Sequence, residues 1–312
     1  MVTLADIEAA RRRIAQAVRL TPMLRLGPAR KPLLSAGEVW LKLESVQVTG
    51  SFKVRGAINT VTTMPAEALR RGLVTASGGN HGLGVAYAGY VTQTPTTVFL
   101  PRSTPPAKAD KLRSWGATVV WEGEVWDDAN LAALGAAERD GAVYVHPFAD
   151  PKVIAGQGTL GLEVVEQAPE LDVLLVAIGG GGLISGVAIA AHARNPRLRI
   201  IGVEPIGAPT LHASLQAGRV IELPSISTAA GTLAPRKSAP INFDLVREHV
   251  AEIVLVSDEQ MRAAAQWLYL ECGIAAELSG AAAVAALLSE RVRIAADERV
   301  CAIVCGAGAD GF

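Results

Sequence analysis

Val173-Leu174-Leu175-Val176-Ala177-Ile178-Gly179-Gly180-Gly181-Gly182-Leu183 decides the fold class. The apolar run before the glycines is rich in branched side chains and reads as a strand covered on both faces, as in a parallel sheet. The glycines turn the chain, and Ile184 to Ala193 continues as a helix candidate. The same alternation repeats outward. Strand candidates upstream are Val39 to Leu43, Leu73 to Ala76, Thr97 to Leu100 and Thr118 to Trp121; downstream are Arg199 to Val203, Ile253 to Val256 and Val300 to Val304. Helix candidates are Leu4 to Val18, with Thr3 and Asp6 as a capping box, then His81 to Val91, Lys108 to Trp115, Asp127 to Arg139 and Asp258 to Cys272. The expectation is an α/β protein of two doubly wound open sheets. The strands fall into two series separated by His146 to Gly161, which is rich in turn residues. A later segment, Ile226 to Asn242, has little periodicity and reads as an irregular cover over a site.

Composition narrows the function. The chain has 312 residues, half of them hydrophobic, and a formal net charge of −1, so charge favours neither nucleic acid nor an acidic membrane surface. Arg11-Arg12-Arg13 and Arg70-Arg71 are short and read as solvated helix faces. Met1 to Ala10 holds Asp6 and Glu8 and no apolar run, so no secretory signal is expected. The Ala-rich tract from Gly280 to Leu288 is too short to span a bilayer. Cys272, Cys301 and Cys305 form no metal or disulfide spacing, and a reducing, cytoplasmic home is expected.

Lys53 lies in Thr49-Gly50-Ser51-Phe52-Lys53-Val54-Arg55-Gly56-Ala57, among small and apolar residues. Desolvation there favours the neutral amine, the form that attacks a carbonyl to make a Schiff base. Taken alone, a surface lysine is the commoner case. Three glycine-rich turns change that weighting. Ser77-Gly78-Gly79-Asn80-His81-Gly82 joins a strand to a helix, where free N–H groups and the helix dipole bind a carboxylate or phosphate. Gly179 to Gly182 is costly in entropy, and the sequence offers no packing reason for it. Its expected use is to wrap backbone N–H groups around a phosphate. Neither turn is a Walker loop or a dinucleotide fingerprint. Cys305-Gly306-Ala307-Gly308-Ala309-Asp310-Gly311 matches that fingerprint literally but has no following helix, so it is read as a false match. It places the Cys305 thiol at the carboxyl end of a strand, where open sheets bind ligands.

In sequence order, Thr49 to Ala57, Ser77 to Gly82, His146-Pro147-Phe148, Ile154-Ala155-Gly156-Gln157-Gly158-Thr159, Gly179 to Leu183 and Gly202-Val203-Glu204-Pro205 resemble the threonine/serine dehydratases and serine racemase. These are pyridoxal phosphate enzymes of the tryptophan-synthase-β type (fold type II), and the likeness runs along nearly the whole chain. It implies pyridoxal 5′-phosphate as cofactor, Lys53 as its Schiff-base lysine and Phe52 as a neighbour packing on its ring. Asn80 would meet the cofactor's 3′ oxygen, Gly179, Gly180, Gly181 and Gly182 its phosphate, and Cys305 the pyridine nitrogen. Ser77, Gly79, Asn80 and His81 would receive the substrate carboxylate. A small domain of residues 46–145, inserted in a large cofactor-binding domain of residues 1–45 plus 146–312, and a homodimer are also implied.

The resemblance has departures. Racemases of the family carry a serine where Gly78 stands, and without that hydroxyl the face opposite Lys53 lacks a proton donor. The racemase-like metal set of Glu204, Ala208 and an acid meets Thr210 instead, so no metal is expected. Ala230 and Gly308 replace an acid and an amide, which loosens the case for threonine in particular. The expected reaction is β-elimination of water from L-threonine or L-serine, giving a 2-keto acid and ammonia. Racemisation, β-replacement and non-catalytic cofactor binding are the competing readings.

Overall fold

The computed structural model describes residues 2–33 and 37–311. Its strands are β1 (Met23–Arg25), β2 (Glu38–Leu43), β3 (Leu73–Ala76), β4 (Thr96–Leu100), β5 (Thr118–Trp121), β6 (Val143–Tyr144), β7 (Val173–Ala177), β8 (Arg199–Pro205), β9 (Glu252–Val256) and β10 (Arg299–Val304). Its helices are α1 (Leu4–Ile14), α2 (Lys53–Thr62), α3 (Ala66–Arg70), α4 (Asn80–Thr92), α5 (Pro106–Ser114), α6 (Trp126–Asp140), α7 (Pro151–Gln167), α8 (Gly182–Arg194), α9 (Thr210–Gln216), α10 (Pro240–His249), α11 (Asp258–Cys272) and α12 (Leu278–Leu288).

Two sheets form. One has six strands in the order β1-β2-β10-β7-β8-β9, the other four in the order β5-β4-β3-β6. Every neighbouring pair is parallel except β1 with β2 at one edge. The α/β class with two parallel sheets is as the strand–helix alternation implies. β7 is buried at all five residues, which is why it reads as a continuous apolar run rather than an alternating one. Thr3 and Asp6 do close a capping box on α1. That helix stops at Ile14, short of Val18, and the turn after it closes on the Ile14 carbonyl, which accepts from Ala17 N and Val18 N.

The stretch from His146 to Gly161 is only partly a turn. From Pro151 it is the helix α7, with Pro151 at the first helical position and the Asp150 carboxylate accepting from Lys152 N at 2.7 Å. Its glycines serve close packing. A Cβ at Gly156 would lie 2.6 Å from the Arg55 carbonyl, and one at Gly56 would lie 2.9 Å from the Val153 carbonyl. α2 and α7 therefore touch backbone to backbone, which fixes the helix that begins at Lys53.

A buried ionic cluster holds the same helix from the other side. Arg55 gives Nε and Nη2 to the two Glu44 oxygens, both at 2.8 Å, and Nη1 to Glu163 Oε1 at 2.7 Å. Lys42 on β2 gives Nζ to Glu163 Oε2 at 2.7 Å and to the Thr21 carbonyl at 2.8 Å. All four side chains are buried, so two cations and two carboxylates sit paired in the core. Among the described residues no helix is long and apolar enough to cross a membrane.

Candidate active site

The lysine is delivered by a short pairing. Phe52 N donates to the Cys305 carbonyl at 3.3 Å, Ala307 N donates to the Gly50 carbonyl at 2.8 Å, and Ser51 bridges Gly306. The chain before α2 is thus stitched to the tail of β10, which brings Lys53 beside Cys305. Thr49, just ahead of this pairing, has φ of +66° with its hydroxyl buried and unpartnered. For a β-branched residue that is a strained conformation, of the kind that collects at functional sites.

Lys53 is half-buried, with Nζ 5.3 Å from the Phe52 ring centroid. It donates to the Pro147 carbonyl at 2.8 Å. Burial pushes its pKa down to about 8, although negative charge at Cys305 and Glu277 would pull it up. His146 builds the turn that presents Pro147: its Nδ1 accepts from Phe148 N at 3.1 Å and Ala149 N at 2.9 Å. Nδ1 therefore carries no proton, and burial pushes the ring's pKa down to about 4.

One cleft is lined by Phe52, Lys53, Asn80, Cys305 and all four glycines from Gly179 to Gly182. The glycines have a packing reason after all. A Cβ on Gly180 would lie 2.2 Å from the Phe148 ring, and one on Gly182 would lie 2.8 Å from the Phe148 carbonyl. Gly181 has φ of +95°, which only glycine adopts without strain. The phosphate-cradle reading stands beside this one. The N–H groups of Gly180, Gly181 and Gly182 donate to no acceptor among the described residues, at the start of an α8 that has no side-chain cap.

Ser77 to His81 form the second turn, at the end of β3. Ser77 Oγ accepts from Gly79 N at 3.2 Å, and α4 begins at Asn80. The His81 ring faces away from the cleft: Nε2 pairs with the Val145 carbonyl at 2.9 Å, and burial pushes its pKa down to about 3. Only its backbone N–H is left for an anion. Cys305 Sγ donates weakly to the Ser279 carbonyl at 3.5 Å, and burial raises its pKa, so the thiol is neutral.

Several cleft residues carry no sequence expectation. Phe148, Thr232, Glu277 and Ser279 all line it. Asn80 Nδ2 donates to Glu277 Oε1 at 2.6 Å. An acid at the head of the otherwise uncharged run Leu278 to Leu288 is the signal that marks Glu277 in the sequence. Thr232 sits in the irregular stretch after Ile226, which does cover the cleft as its composition implies. At the altered positions, Asp258 accepts from the Thr228 hydroxyl at 2.5 Å and from Ala229 N at 2.6 Å beside Ala230. A Cβ on Gly308 would lie 2.7 Å from Glu277 Cβ. Glu204 accepts from Leu211 N and His212 N, and the Thr210 hydroxyl donates to the Pro235 carbonyl. Among the described residues no group of three or more His, Cys, Asp or Glu side chains could hold a metal ion.

A reactive lysine, a glycine cradle at a helix start and a neutral thiol at the carboxyl end of parallel strands define the class: enzymes that bind a phosphorylated carbonyl cofactor. Residues 14–306 match the family described as pyridoxal-phosphate dependent enzymes, and the chain belongs to that family. It is 43% identical to the L-threonine ammonia-lyase of Thermotoga maritima over 93% of this chain and 72% of that protein. Two solved structures are similar throughout. Maize serine racemase aligns with a TM-score of 0.93 at 34% identity, covering 98% of this chain and 93% of the other. The processed form of threonine deaminase isoform 2 from Solanum lycopersicum aligns with a TM-score of 0.90 at 34% identity, covering 98% of this chain and 83% of the other. Pyridoxal phosphate fits the residues present, since the unpaired N–H groups suit its phosphate and the Lys53 amine its carbonyl.

Proposed function

We propose that the chain is an ammonia-lyase that removes water and ammonia from a small β-hydroxy amino acid, L-threonine or L-serine. The observation that carries this reading is the single cleft joining Lys53, the glycine turn after β7 and Cys305. When bound, pyridoxal phosphate supplies a carbonyl for amine exchange and a conjugated ring that accepts the electron pair left at Cα. The N–H groups of Gly179 to Gly182 would hold its phosphate, Asn80 would meet its 3′ oxygen and Phe52 would pack at its ring. Ser77, Gly79, Asn80 and the His81 backbone receive the substrate carboxylate.

Lys53 would hold the cofactor's carbonyl, and its neutral amine is the base placed to take the substrate's Cα proton. The β-hydroxyl leaves as water, and the released enamine tautomerises and hydrolyses to a 2-keto acid and ammonia. The neutral Cys305 thiol would give the pyridine nitrogen no charged partner, a setting that favours prompt loss of the β-group over a long-lived negative charge at Cα. Gly78 offers no hydroxyl on the opposite face. A Cβ there would lie 2.9 Å from Thr104 Cγ2 and 3.5 Å from Thr104 Oγ1, so a serine at 78 would require the Thr104 side chain to shift.

The Lys53 pKa has a testable consequence. The amine is mostly protonated below about pH 8 and mostly neutral above it. Covalent uptake of pyridoxal phosphate by the apo-protein should therefore quicken with pH, pass half its maximum near pH 8 and level off above that. A rise that continues to the ordinary lysine value would contradict the buried setting of this amine. The reaction itself is tested by a panel of L-amino acids with 2-keto acid detection, with and without sulfide. Keto acid from L-threonine or L-serine, undiminished by sulfide, is expected; a sulfur-containing product in its place would mean β-replacement.

We assign residues 46–145 to a small domain and residues 1–45 plus 146–312 to a large one. All four strands of the smaller sheet fall within the first range, which supports that division. A cytoplasmic homodimer completes the proposal; Cys272, Cys301 and Cys305 are all free, as a reducing compartment would keep them.

A further inference from the structure

The mechanism above uses no carboxylate, yet Glu277 stands inside the cleft. Its Oε1 accepts from Asn80 Nδ2 at 2.6 Å and from the Thr232 hydroxyl at 3.5 Å. Thr232 Oγ1 also pairs closely with Ser279 Oγ, and the Ser279 carbonyl accepts from the Cys305 thiol. Three separate pieces of chain meet at one carboxylate: the start of α4, the irregular cover and the start of α12. The site is built to admit it. A Cβ on Gly306 would lie 2.4 Å from Glu277 Oε1 and 3.1 Å from Asn80 Nδ2. Glycine at 306 thus leaves the space in which the carboxylate and the amide meet.

An asparagine amide presents a donor on one side and an acceptor on the other, and turning it over exchanges them. Burial pushes the pKa of the Glu277 carboxyl up, while hydrogen bonds from Ser279, Asn80 and Thr232 favour its ionised form. That form accepts only, so it selects the orientation with Nδ2 toward itself and turns Oδ1 away. We propose that Glu277 is a positioning residue that sets the Asn80 amide for contact with the cofactor. It acts through Asn80 and takes no proton from the substrate. The proposal rests on the assignment of Asn80 to the cofactor's 3′ oxygen.

The test compares holoenzyme of wild type, Glu277→Ala, Glu277→Gln, Asn80→Ala, Gly306→Ala and the Asn80→Ala/Glu277→Ala double variant. Two readouts are the dissociation constant for pyridoxal phosphate and the visible absorbance maximum of the bound cofactor. Glu277→Ala should weaken binding by about tenfold, the size of one charge-assisted hydrogen bond, and move the maximum in the same direction as Asn80→Ala. On the Asn80→Ala background it should add less than about twofold, because the two residues act as one unit. Gly306→Ala should move the maximum likewise with Glu277 still present, and Glu277→Gln should fall between wild type and Glu277→Ala. Should Glu277→Ala not fold, the Gly306→Ala and Glu277→Gln spectra decide the matter. Full additivity in the double variant, or unmoved spectra in Gly306→Ala and Glu277→Gln, overturns the proposal. An unmoved spectrum in Asn80→Ala overturns it too. A holoenzyme that behaves as described but releases no 2-keto acid would instead refute the lyase reading and leave the role of Glu277 standing.

Discussion

Lys53→Ala should give a folded protein that no longer links pyridoxal phosphate covalently and no longer turns over substrate. On the proposed reading two contributions vanish together, the nucleophile for the cofactor carbonyl and the base for the Cα proton. The loss of turnover should exceed about 10³-fold, since a positioned general base alone contributes about 10²- to 10⁴-fold. Folding should survive. Lys53 Nζ makes one protein hydrogen bond, to the Pro147 carbonyl, and leaving one buried acceptor unpaired costs about 1–3 kcal/mol. The check is an absorbance titration with pyridoxal phosphate followed by borohydride trapping and mass measurement. A trapped adduct, or turnover within tenfold of wild type, would remove Lys53 from its role.

Arg55→Ala should damage stability more than any change in the cleft itself. It leaves Glu44 without a cation in direct contact, in a fully buried position, and deprives Glu163 of one of its two cationic partners. Breaking a buried ion pair from one side costs about 3–5 kcal/mol, a large share of the roughly 5–15 kcal/mol that holds a domain together. Urea unfolding reads this as a lower midpoint at unchanged slope. Arg55→Lys should recover only part of the loss, because a single ammonium cannot copy the guanidinium fork that spans Glu44 and Glu163.

The pH dependence follows from Glu44. Burial pushes its pKa up, but Arg55 beside it, with help from Thr21 and Lys42, outweighs burial and holds it below the usual carboxylate range. A depressed pKa in the folded state gives stability that is present above the ordinary carboxylate value and fades as pH falls through the depressed one. The stability gap between wild type and Arg55→Ala should therefore narrow in acid. A gap that widens there, or midpoints that coincide at neutral pH, would contradict the cluster's role.

Much of the fold is legible in the sequence because its strands are covered on both faces. Runs such as Val173 to Ala177 and Val300 to Val304 cannot be mistaken for surface, and Asp258 to Cys272 declares both ends of a helix. The short edge strands β1 and β6 carry no such run, since Met23–Arg25 and Val143–Tyr144 are too brief to set a period. α7 is hidden for a different reason. Gly156, Gly158 and Gly161 look like turn residues in one dimension, while their purpose is to let helices touch. Within the site, residues on glycine-rich turns announce themselves because such turns are costly unless used. Glu277 does not, because it lies far along the chain from Asn80, the residue it pairs with. The Arg55 cluster is equally silent: charges at 42, 44, 55 and 163 become partners only when β2, α2 and α7 are packed.

Wild-type holoenzyme given L-serine separates elimination from racemisation when pyruvate, ammonia and D-serine are followed together. Pyruvate and ammonia should appear in equal amounts with no accumulation of D-serine if, as proposed, Lys53 takes the proton on one face and Gly78 gives none back on the other. D-serine forming at a rate comparable to pyruvate, or neither pyruvate from L-serine nor 2-oxobutanoate from L-threonine, would contradict elimination as the chemistry of this site.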